Sequence, residues 1–208
     1  MISTAEARRH YPPSSDPAHD FDHVLRVTAL AERIARAEGA DVEIVRAAAL
    51  LHDLARGDRS EHDHAEAAAR QARAILESRP PDRVEAVARA IEQHRFRSGP
   101  APDTLEARCL FDADKLDSIG ATGVARAFAY SGVIGQRLWD DVEPDYAERF
   151  ARGASRPGEH TSHHEFVVKL SRLRDRMTTA TGRAIADERH AFMLAFYDRL
   201  AREMRAEV

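Results

Sequence analysis

The stretch Ala47-Ala48-Ala49-Leu50-Leu51-His52-Asp53-Leu54 contains a histidine and an aspartate within an apolar run. Apolar runs of this kind are usually buried, and burying His52 and Asp53 without compensating partners would cost several kcal/mol. Candidate partners lie on both sides in the sequence: His23, in Phe21-Asp22-His23-Val24, and Asp114, in Phe111-Asp112-Ala113-Asp114-Lys115. The four side chains follow the order His, His-Asp, Asp.

Composition and charge restrict the classes of protein to which the chain can belong. It has 208 residues, 43% hydrophobic and 32% charged, which suits one compact globular domain. The formal net charge of -4 and the lack of a basic tail disfavour binding to a nucleic acid polymer. The single cysteine, Cys109, excludes an intrachain disulfide framework and is typical of a reducing compartment.

The N-terminal sequence has no charged and apolar leader, and the apolar runs are shorter than a membrane span. We therefore predict a cytoplasmic protein that does not act at a membrane. Residues 1–15 end in Tyr11-Pro12-Pro13-Ser14-Ser15, which resists helix formation, and are predicted to be a loosely ordered lead-in. Residues 16–208 are predicted to form a single domain.

Apolar residues recur at helical intervals through most of the chain. The first such segment can be capped by Asp16 or Asp20 and is predicted to end at Gly39, with His23 in its first turns. Asp41 is predicted to cap a second helix that ends near Gly57.

The second helix carries the apolar run, so His52 and Asp53 are predicted in its last turn. Adjacent side chains in the middle of a helix point about 100° apart. The end of a helix is therefore a favourable place for two neighbouring residues to converge on one ion.

Further helices are predicted downstream. They run from Ser60 to Leu76, from Asp82 as a cap to the region of His94, over 105–116 and over 119–130, with two more around 166–177 and 184–200. Residues 98–102 are predicted to form a loop. Residues 131–161 lose the helical period and are predicted to form an irregular loop or lid. No stretch alternates at a period of two, so the predicted fold is all-α.

Two imidazoles and two carboxylates, without a thiolate, form a mixed nitrogen and oxygen ligand set. Such a set suits Mn, Fe, Co, Ni or Zn, with Mg as a further candidate, rather than Ca or a structural zinc finger. Four of these ligands on a five- or six-coordinate ion leave room for water and substrate. The ligand set is therefore typical of a hydrolase in which the ion activates water and neutralises phosphate charge.

The order His23, His52-Asp53, Asp114 resembles the HD superfamily of metal-dependent phosphohydrolases, an all-helical group that acts mainly on nucleotides and phosphoesters. Within it, the chain is similar to a bacterial branch, the YedJ/YpgQ-like proteins. The resemblance implies an HD-domain helical bundle that hydrolyses nucleoside or deoxynucleoside triphosphates and releases pyrophosphate. It extends over residues 16–200 and rests on residues 21–27, 49–53, 91–96, 112–121, 123–128, 177–183 and 188–190.

The resemblance implies that one divalent ion, for which manganese is our first candidate, is bound by His23, His52, Asp53 and Asp114. The roles of His64 and His94 stay open at this point. In binuclear HD phosphodiesterases, two histidines in this order bind a second metal. In the mononuclear branch, they would face the phosphates as proton donors or charge stabilisers.

Further catalytic and substrate-binding roles are predicted on the same basis. Lys115 and Arg126 are candidates for binding phosphate oxygens, and Asp117 for orienting a water or a sugar hydroxyl. The predicted catalytic set is therefore Asp53, His64, His94 and Lys115.

The remaining histidines and two other residues have simpler interpretations. Trp139 is predicted to anchor the irregular segment, and Asp112 to lie on the helix surface or behind the ligands. The predicted solvated histidines are His10, His19, His62, His160, His163 and His164, although His62 replaces His64 if the helix phase differs by two.

Two alternatives to the triphosphate pyrophosphohydrolase stay open. One is a phosphodiesterase or 5'-nucleotidase that uses the same site, and the other is a nucleotide-sensing module without turnover. Each of these has a small-molecule nucleotide as its partner, and the chain is predicted to be a monomer or a homodimer.

Overall fold

Helices account for the regular structure in this computed structural model, which describes residues 1–12, 20–56, 64–95 and 101–208. Within these ranges there are ten α-helices, two short 3-10 helices and no β-strand. The predicted all-α fold is therefore confirmed. The α-helices are α1 (Thr4–Arg8), α2 (Phe21–Glu38), α3 (Val42–Leu51), α4 (His64–Ile75), α5 (Pro81–Glu92), α6 (Leu105–Asp117), α7 (Gly120–Val133), α8 (Tyr146–Ala151), α9 (Ser162–Val168) and α10 (Ala180–Met204).

The chain divides into two compact units. The first contains the described residues up to Lys115 together with Thr178–Gly182, and the second contains Leu116–Met177 and Arg183–Val208. The division into a lead-in and a single domain over 16–208 stays a prediction. Among the helices of the described ranges, none is both long and apolar enough to cross a membrane.

The N-terminal segment is more regular than its proline-rich end suggested. The Ser3 side chain accepts a hydrogen bond from the Glu6 backbone N–H, and the Glu6 carboxylate accepts one from the Ser3 N–H. This capping box stabilises α1. Ala7 is fully buried, so α1 packs within the first unit; residues 13–15 lie outside the described ranges.

Two predicted N-caps, Asp20 and Asp41, begin the helices α2 and α3. The Asp20 carboxylate accepts a hydrogen bond from the His23 N–H at 3.0 Å, which fixes the first turn of α2. Gly39, with φ +81°, ends that helix in the left-handed conformation that favours glycine. Asp41 then accepts from the N–H groups of Glu43 and Ile44 and caps α3. The other predicted cap, Asp16, lies outside the described residues.

Helix α3 is the core helix of the first unit, because its residues from Ala47 to Leu51 are all fully buried. It ends at Leu51 with His52 as its C-cap, so His52 and Asp53 follow the helix rather than occupy its last turn. The predicted stop at Gly57 is outside the described ranges. Buried alanines line one face of α4, which packs against α5.

Several predicted boundaries differ from the observed ones. Asp82 is not the cap of α5: Pro80 is at the N-cap and Pro81 at the first helical position, where a proline N–H is not needed. The described part of the third predicted helix begins at His64, and its expected start at Ser60 falls outside the described residues. So do most of the residues of the predicted loop at 98–102.

Helical periodicity in the sequence predicted the helices of the second unit less well than those of the first. Helix α7 extends to Val133, and α8 lies inside the segment 131–161 that we expected to be irregular. The helix expected around 166–177 is replaced by α9 and two 3-10 helices, Leu170–Arg172 and Arg174–Arg176. A lid role for 131–161 stays a prediction.

Candidate metal centre

The first unit brings the four predicted ligands together. The Nε2 atom of His23 lies 3.4 Å from Oδ1 of Asp114 and 3.6 Å from Oδ2 of Asp53. The Nε2 atom of His52 lies 3.8 Å from Oδ2 of Asp53 and 3.9 Å from Oδ1 of Asp114. Ligand atoms about 2.1 Å from one ion are roughly 3 to 3.5 Å apart, so small side-chain rotations suffice for a shared ion.

The His52 ring is oriented by the helix that precedes it. Its Nδ1 lies 2.8 Å from the carbonyl oxygen of Ala49. A carbonyl only accepts hydrogen bonds, so Nδ1 carries the ring proton and Nε2 keeps its lone pair. This Nε2 is buried and has no hydrogen-bond partner among the described residues. A divalent cation would satisfy it, and the residues present therefore fit a metal ion.

The two carboxylates are held in their ionised form. Burial alone would raise the pKa of Asp53, but the electrostatic interactions of its carboxylate with the His52 ring, the Arg56 guanidinium and the His23 ring outweigh it and lower the pKa. Burial acts in the same way on Asp114, where Lys115 and His23 hold the pKa well below its ordinary value. Ionised carboxylates are the form that binds metal.

A second group of possible metal ligands lies beside the group formed by His23, His52 and Asp114. Donor atoms of Asp53, His64 and His94 lie within 4.8 Å of one another, as do those of His23, His52 and Asp114. The His94 ring lies 5.2 Å from that of His52 and 5.7 Å from that of His64, between centroids. The two predicted histidines are therefore in the same pocket as the predicted ligands.

His94 is held as a neutral ring whose Nε2 lone pair faces away from its backbone partner. Its Nδ1 lies 2.6 Å from the carbonyl oxygen of Ile91, which places the ring proton there and leaves the Nε2 lone pair available. Burial, followed by the interaction with the His52 ring, lowers the pKa of His94 to about 3. Of the two roles left open for His94, the neutral ring fits a metal ligand better than a proton donor.

Lys115 is buried and already bonded within the chain. Its Nζ donates to Oδ2 of Asp114 at 2.6 Å and to the carbonyl oxygen of His94 at 2.8 Å. It also lies 5.0 Å from the centre of the Phe111 ring. Two of its three N–H groups are thus used, and one is left for a phosphate oxygen.

Arg126 and Asp117, the other predicted substrate-binding residues, are bonded to each other. Nη1 of Arg126 donates to Oδ2 of Asp117 at 2.7 Å and to its backbone oxygen at 3.1 Å. Both belong to the second unit. Their roles in substrate binding stay predictions.

Arg56 was missed by the sequence analysis. Its guanidinium lies 3.3 Å from Oδ1 and 3.4 Å from Oδ2 of Asp53, and its side chain is 38% exposed. The spacing of three residues between Asp53 and Arg56 was a usable signal, because such residues share a face of a helical turn.

Asp112 is neither on the surface nor directed at the candidate ligands. It is fully buried, and its carboxylate accepts four hydrogen bonds of 2.7 to 2.9 Å, from the backbone N–H and hydroxyl groups of Thr178 and Thr179. It therefore fastens the segment 178–182 to α6.

Three histidines that we expected to be solvated are partly or fully buried in the second unit. His164 is 1% exposed, and its Nδ1 lies 2.9 Å from Oγ1 of Thr161. His160 lies 2.6 Å from the Tyr146 hydroxyl, and His163 stacks on Trp139 with ring centres 4.0 Å apart. His10 is exposed as expected, while His19 and His62 lie outside the described residues.

Comparison with known proteins places this site in a family context. Residues 20–119 match the family model of the HD domain. The chain is 34% identical over 190 residues to YpgQ of Bacillus subtilis (strain 168), across 89% of this chain and 84% of the relative. The structure of B. subtilis YpgQ in complex with ADP has a TM-score of 0.72 at 31% identity and covers 96% of each chain. An HD-superfamily hydrolase from Bacillus thuringiensis gives a TM-score of 0.68 at 30% identity, over 90% of this chain and 87% of that one.

Proposed function

The chain belongs to the HD domain family, and we propose that it hydrolyses nucleoside or deoxynucleoside triphosphates to the monophosphate and pyrophosphate. The observation that carries the proposal is that the Nε2 atoms of His23 and His52 both lie within 3.9 Å of carboxylate oxygens of Asp53 and Asp114, and that both Nε2 atoms are buried. Two neutral imidazole nitrogens and two ionised carboxylates form a site for a divalent cation.

A nucleotide substrate is supported by one of the relatives. YpgQ of B. subtilis has been crystallised in complex with ADP, and it covers 96% of this chain at 31% identity. ADP contains a phosphoanhydride bond, which is the kind of bond that the proposed reaction cleaves. We place the reaction in the cytoplasm, in keeping with the single buried Cys109.

The residues of the centre have separable roles in this proposal. His23, His52, Asp53 and Asp114 hold the divalent cation, which supplies Lewis-acid chemistry: activation of water and neutralisation of phosphate charge. His94, with its lone pair on Nε2, accepts a hydrogen bond from the attacking water and orients it, and the proton that the water loses passes to solvent. The water oxygen bonds to the α-phosphorus, and the bond from that phosphorus to the bridging oxygen breaks as pyrophosphate leaves.

Positive charge on the protein assists the same step. The remaining N–H of Lys115 donates to a phosphate oxygen and stabilises the negative charge that builds up on it. His64 lies at the same pocket and stabilises a second oxygen.

Phosphorus NMR of the Mn-loaded protein with a mixture of deoxynucleoside triphosphates tests the proposal. We expect pyrophosphate and monophosphate with the native chain and no turnover with Asp53→Asn. The matched control is Asp187→Asn, which removes an exposed carboxylate paired with Arg174 and should leave turnover unchanged. Release of orthophosphate, or no reaction with any triphosphate, would contradict the proposal.

The second group of donors favours one alternative. Asp53, His64 and His94 lie close enough to hold a second cation, as in a binuclear phosphodiesterase. That alternative predicts two metal ions per chain, a single ion in His94→Ala, and cleavage of a dinucleotide. For the triphosphate pyrophosphohydrolase, we expect one ion per chain both in the native protein and in His94→Ala. Metal analysis after dialysis distinguishes the two.

A further inference from the structure

The N-terminal segment reaches the metal centre through one tyrosine. Tyr11 follows α1 and is half-buried, with its ring packed edge-on against Phe21 at a centroid distance of 5.2 Å. Thr4 fixes the same segment to α3, because its hydroxyl accepts a hydrogen bond from Arg46 at 3.2 Å. Residues 1–12 are thus attached to both α2 and α3.

The Tyr11 hydroxyl donates to the carbonyl oxygen of Leu50 at 3.0 Å. Leu50 lies in the last turn of α3, where carbonyl groups lose their regular partners within the helix. The adjacent carbonyls are also occupied, since Ala49 O accepts from the His52 ring and Leu51 O accepts from the Leu54 N–H at 3.4 Å. Of these three hydrogen bonds, the one from Tyr11 is donated by a residue that is distant in the sequence.

These bonds define the turn that carries His52 and Asp53. A helix end whose carbonyls lack donors frays or tightens, and either change would rotate both side chains. A phenol hydroxyl carries its proton at neutral pH, so the Tyr11 hydroxyl is the donor in its hydrogen bond to Leu50.

We infer that Tyr11 is a positioning residue for the metal centre, whose hydroxyl holds the end of α3 so that His52 and Asp53 converge on the ion. This inference rests on the proposed function, because it requires that the centre binds metal. It assigns a role in metal binding to the N-terminal segment.

The variant Tyr11→Phe removes the hydroxyl and keeps the ring against Phe21. Removing groups that orient metal ligands typically costs about 10- to 100-fold in metal affinity. Because Tyr11 acts through the backbone, we expect the lower end, about a tenfold rise in the dissociation constant for Mn²⁺. We also expect a changed visible absorption spectrum of the Co²⁺-loaded protein, since the ligand geometry changes.

Tyr146→Phe is the matched control. Its hydroxyl lies 2.6 Å from Nδ1 of His160 in the second unit, so this variant loses a comparable bond away from the predicted ligands. Both variants should lose similar thermal stability without metal, while only Tyr11→Phe alters affinity and spectrum. Thr4→Val, which loosens the same segment, should raise the dissociation constant by a smaller factor.

Equal metal affinity and spectrum in Tyr11→Phe and the native chain would overturn the inference and leave the proposed function intact. A native chain that binds neither Mn²⁺ nor Co²⁺ would overturn both. Isothermal titration at a temperature well below the unfolding midpoint of every variant ensures that only folded protein is compared.

Discussion

The Nζ atom of Lys115 lies 2.6 Å from Oδ2 of Asp114, although the two residues are neighbours on α6. Neighbouring side chains on a helix point about 100° apart, so the lysine side chain bends back to reach the carboxylate. Its second bond, to the carbonyl oxygen of His94, accounts for this path. One ammonium group thereby connects a predicted metal ligand with a predicted catalytic histidine.

Replacing Lys115 by methionine should lower turnover much more than metal binding. The variant keeps the length of the side chain and removes the N–H group that we assign to a phosphate oxygen. We expect kcat to fall about 100-fold, the size typical for losing one charge-stabilising donor, and the metal dissociation constant to rise about tenfold, because Lys115 also orients the Asp114 carboxylate. Steady-state kinetics and metal titration measure the two effects.

Lys169→Met is the control for this variant, because Lys169 bonds to the Glu165 carboxylate at 2.7 Å in the second unit. It should leave kcat unchanged. If Lys115→Met turned over substrate at the native rate, the catalytic role that we assign to Lys115 would be wrong. The ammonium group of Lys115 would then have a purely structural role.

Adding a methyl group at Gly182 should strongly destabilise the fold. A Cβ there would lie 2.8 Å from both Cγ of Asp112 and Oγ1 of Thr179, and closer still to Oδ2 of Asp112. Overpacking of this kind costs about 1 to 3 kcal/mol, and the lost bonds between Asp112 and the threonines add to it. We expect the free energy of unfolding in urea to fall by at least about 2 kcal/mol.

Gly132→Ala tests whether this effect comes from crowding. Gly132 also lies in a helix, and a Cβ there would meet no described atom within 4 Å. Alanine should stabilise that helix by about 0.5 to 1 kcal/mol. Equal effects of Gly182→Ala and Gly132→Ala on the free energy of unfolding would contradict the proposed clash at Gly182.

The candidate metal centre was predictable because its residues leave local signals. A histidine and an aspartate inside an apolar run can be recognised in the sequence whether the run forms a helix or a strand. The caps Asp20 and Asp41 can be recognised because aspartate is a preferred residue at the N-cap of a helix. Tyr11 and Asp112 leave no such signal. Their partners are 39 and 66 or 67 residues away in the sequence, and only the fold brings them together.

The second unit shows the limit of periodicity more clearly. His160, His163 and His164 lie in a segment with many charges and glycines, which indicated solvated loops. They are partly or fully buried instead because Trp139 and Tyr146 pack against them. Aromatic rings in an irregular segment form a small core without a helical repeat, and no window of sequence reveals their pairing.

Glu165 gives this unit a predictable dependence on acid. Burial raises its pKa, but the hydrogen bond from His160 and the charge of Lys169 outweigh this and lower the pKa from 4.5 to about 2. The folded state therefore favours the charged form. This stability is fully present above pH 4.5 and is lost as the pH falls from 4.5 towards 2. After allowance for solvent screening, it is on the order of 1 kcal/mol.

The variant Glu165→Gln should flatten that acid limb in a plot of unfolding midpoint against pH. Glu207→Gln, which removes an exposed carboxylate paired with Arg205, should keep the native slope. A native slope in Glu165→Gln would mean that other carboxylates dominate acid unfolding.

Removing the metal should leave the helices in place and lower the thermal midpoint. Helices α2 to α5 bury apolar side chains such as Val27, Ile34 and Leu51 independently of any ion, so apo protein should keep its far-ultraviolet circular dichroism. Adding Mn²⁺ at 100 times its dissociation constant should stabilise the native chain by about 2.7 kcal/mol. In His52→Gln, which lacks the Nε2 lone pair, the same addition should not move the midpoint. Loss of helix signal on chelation would instead identify a structural metal site, because folding would then depend on the ion.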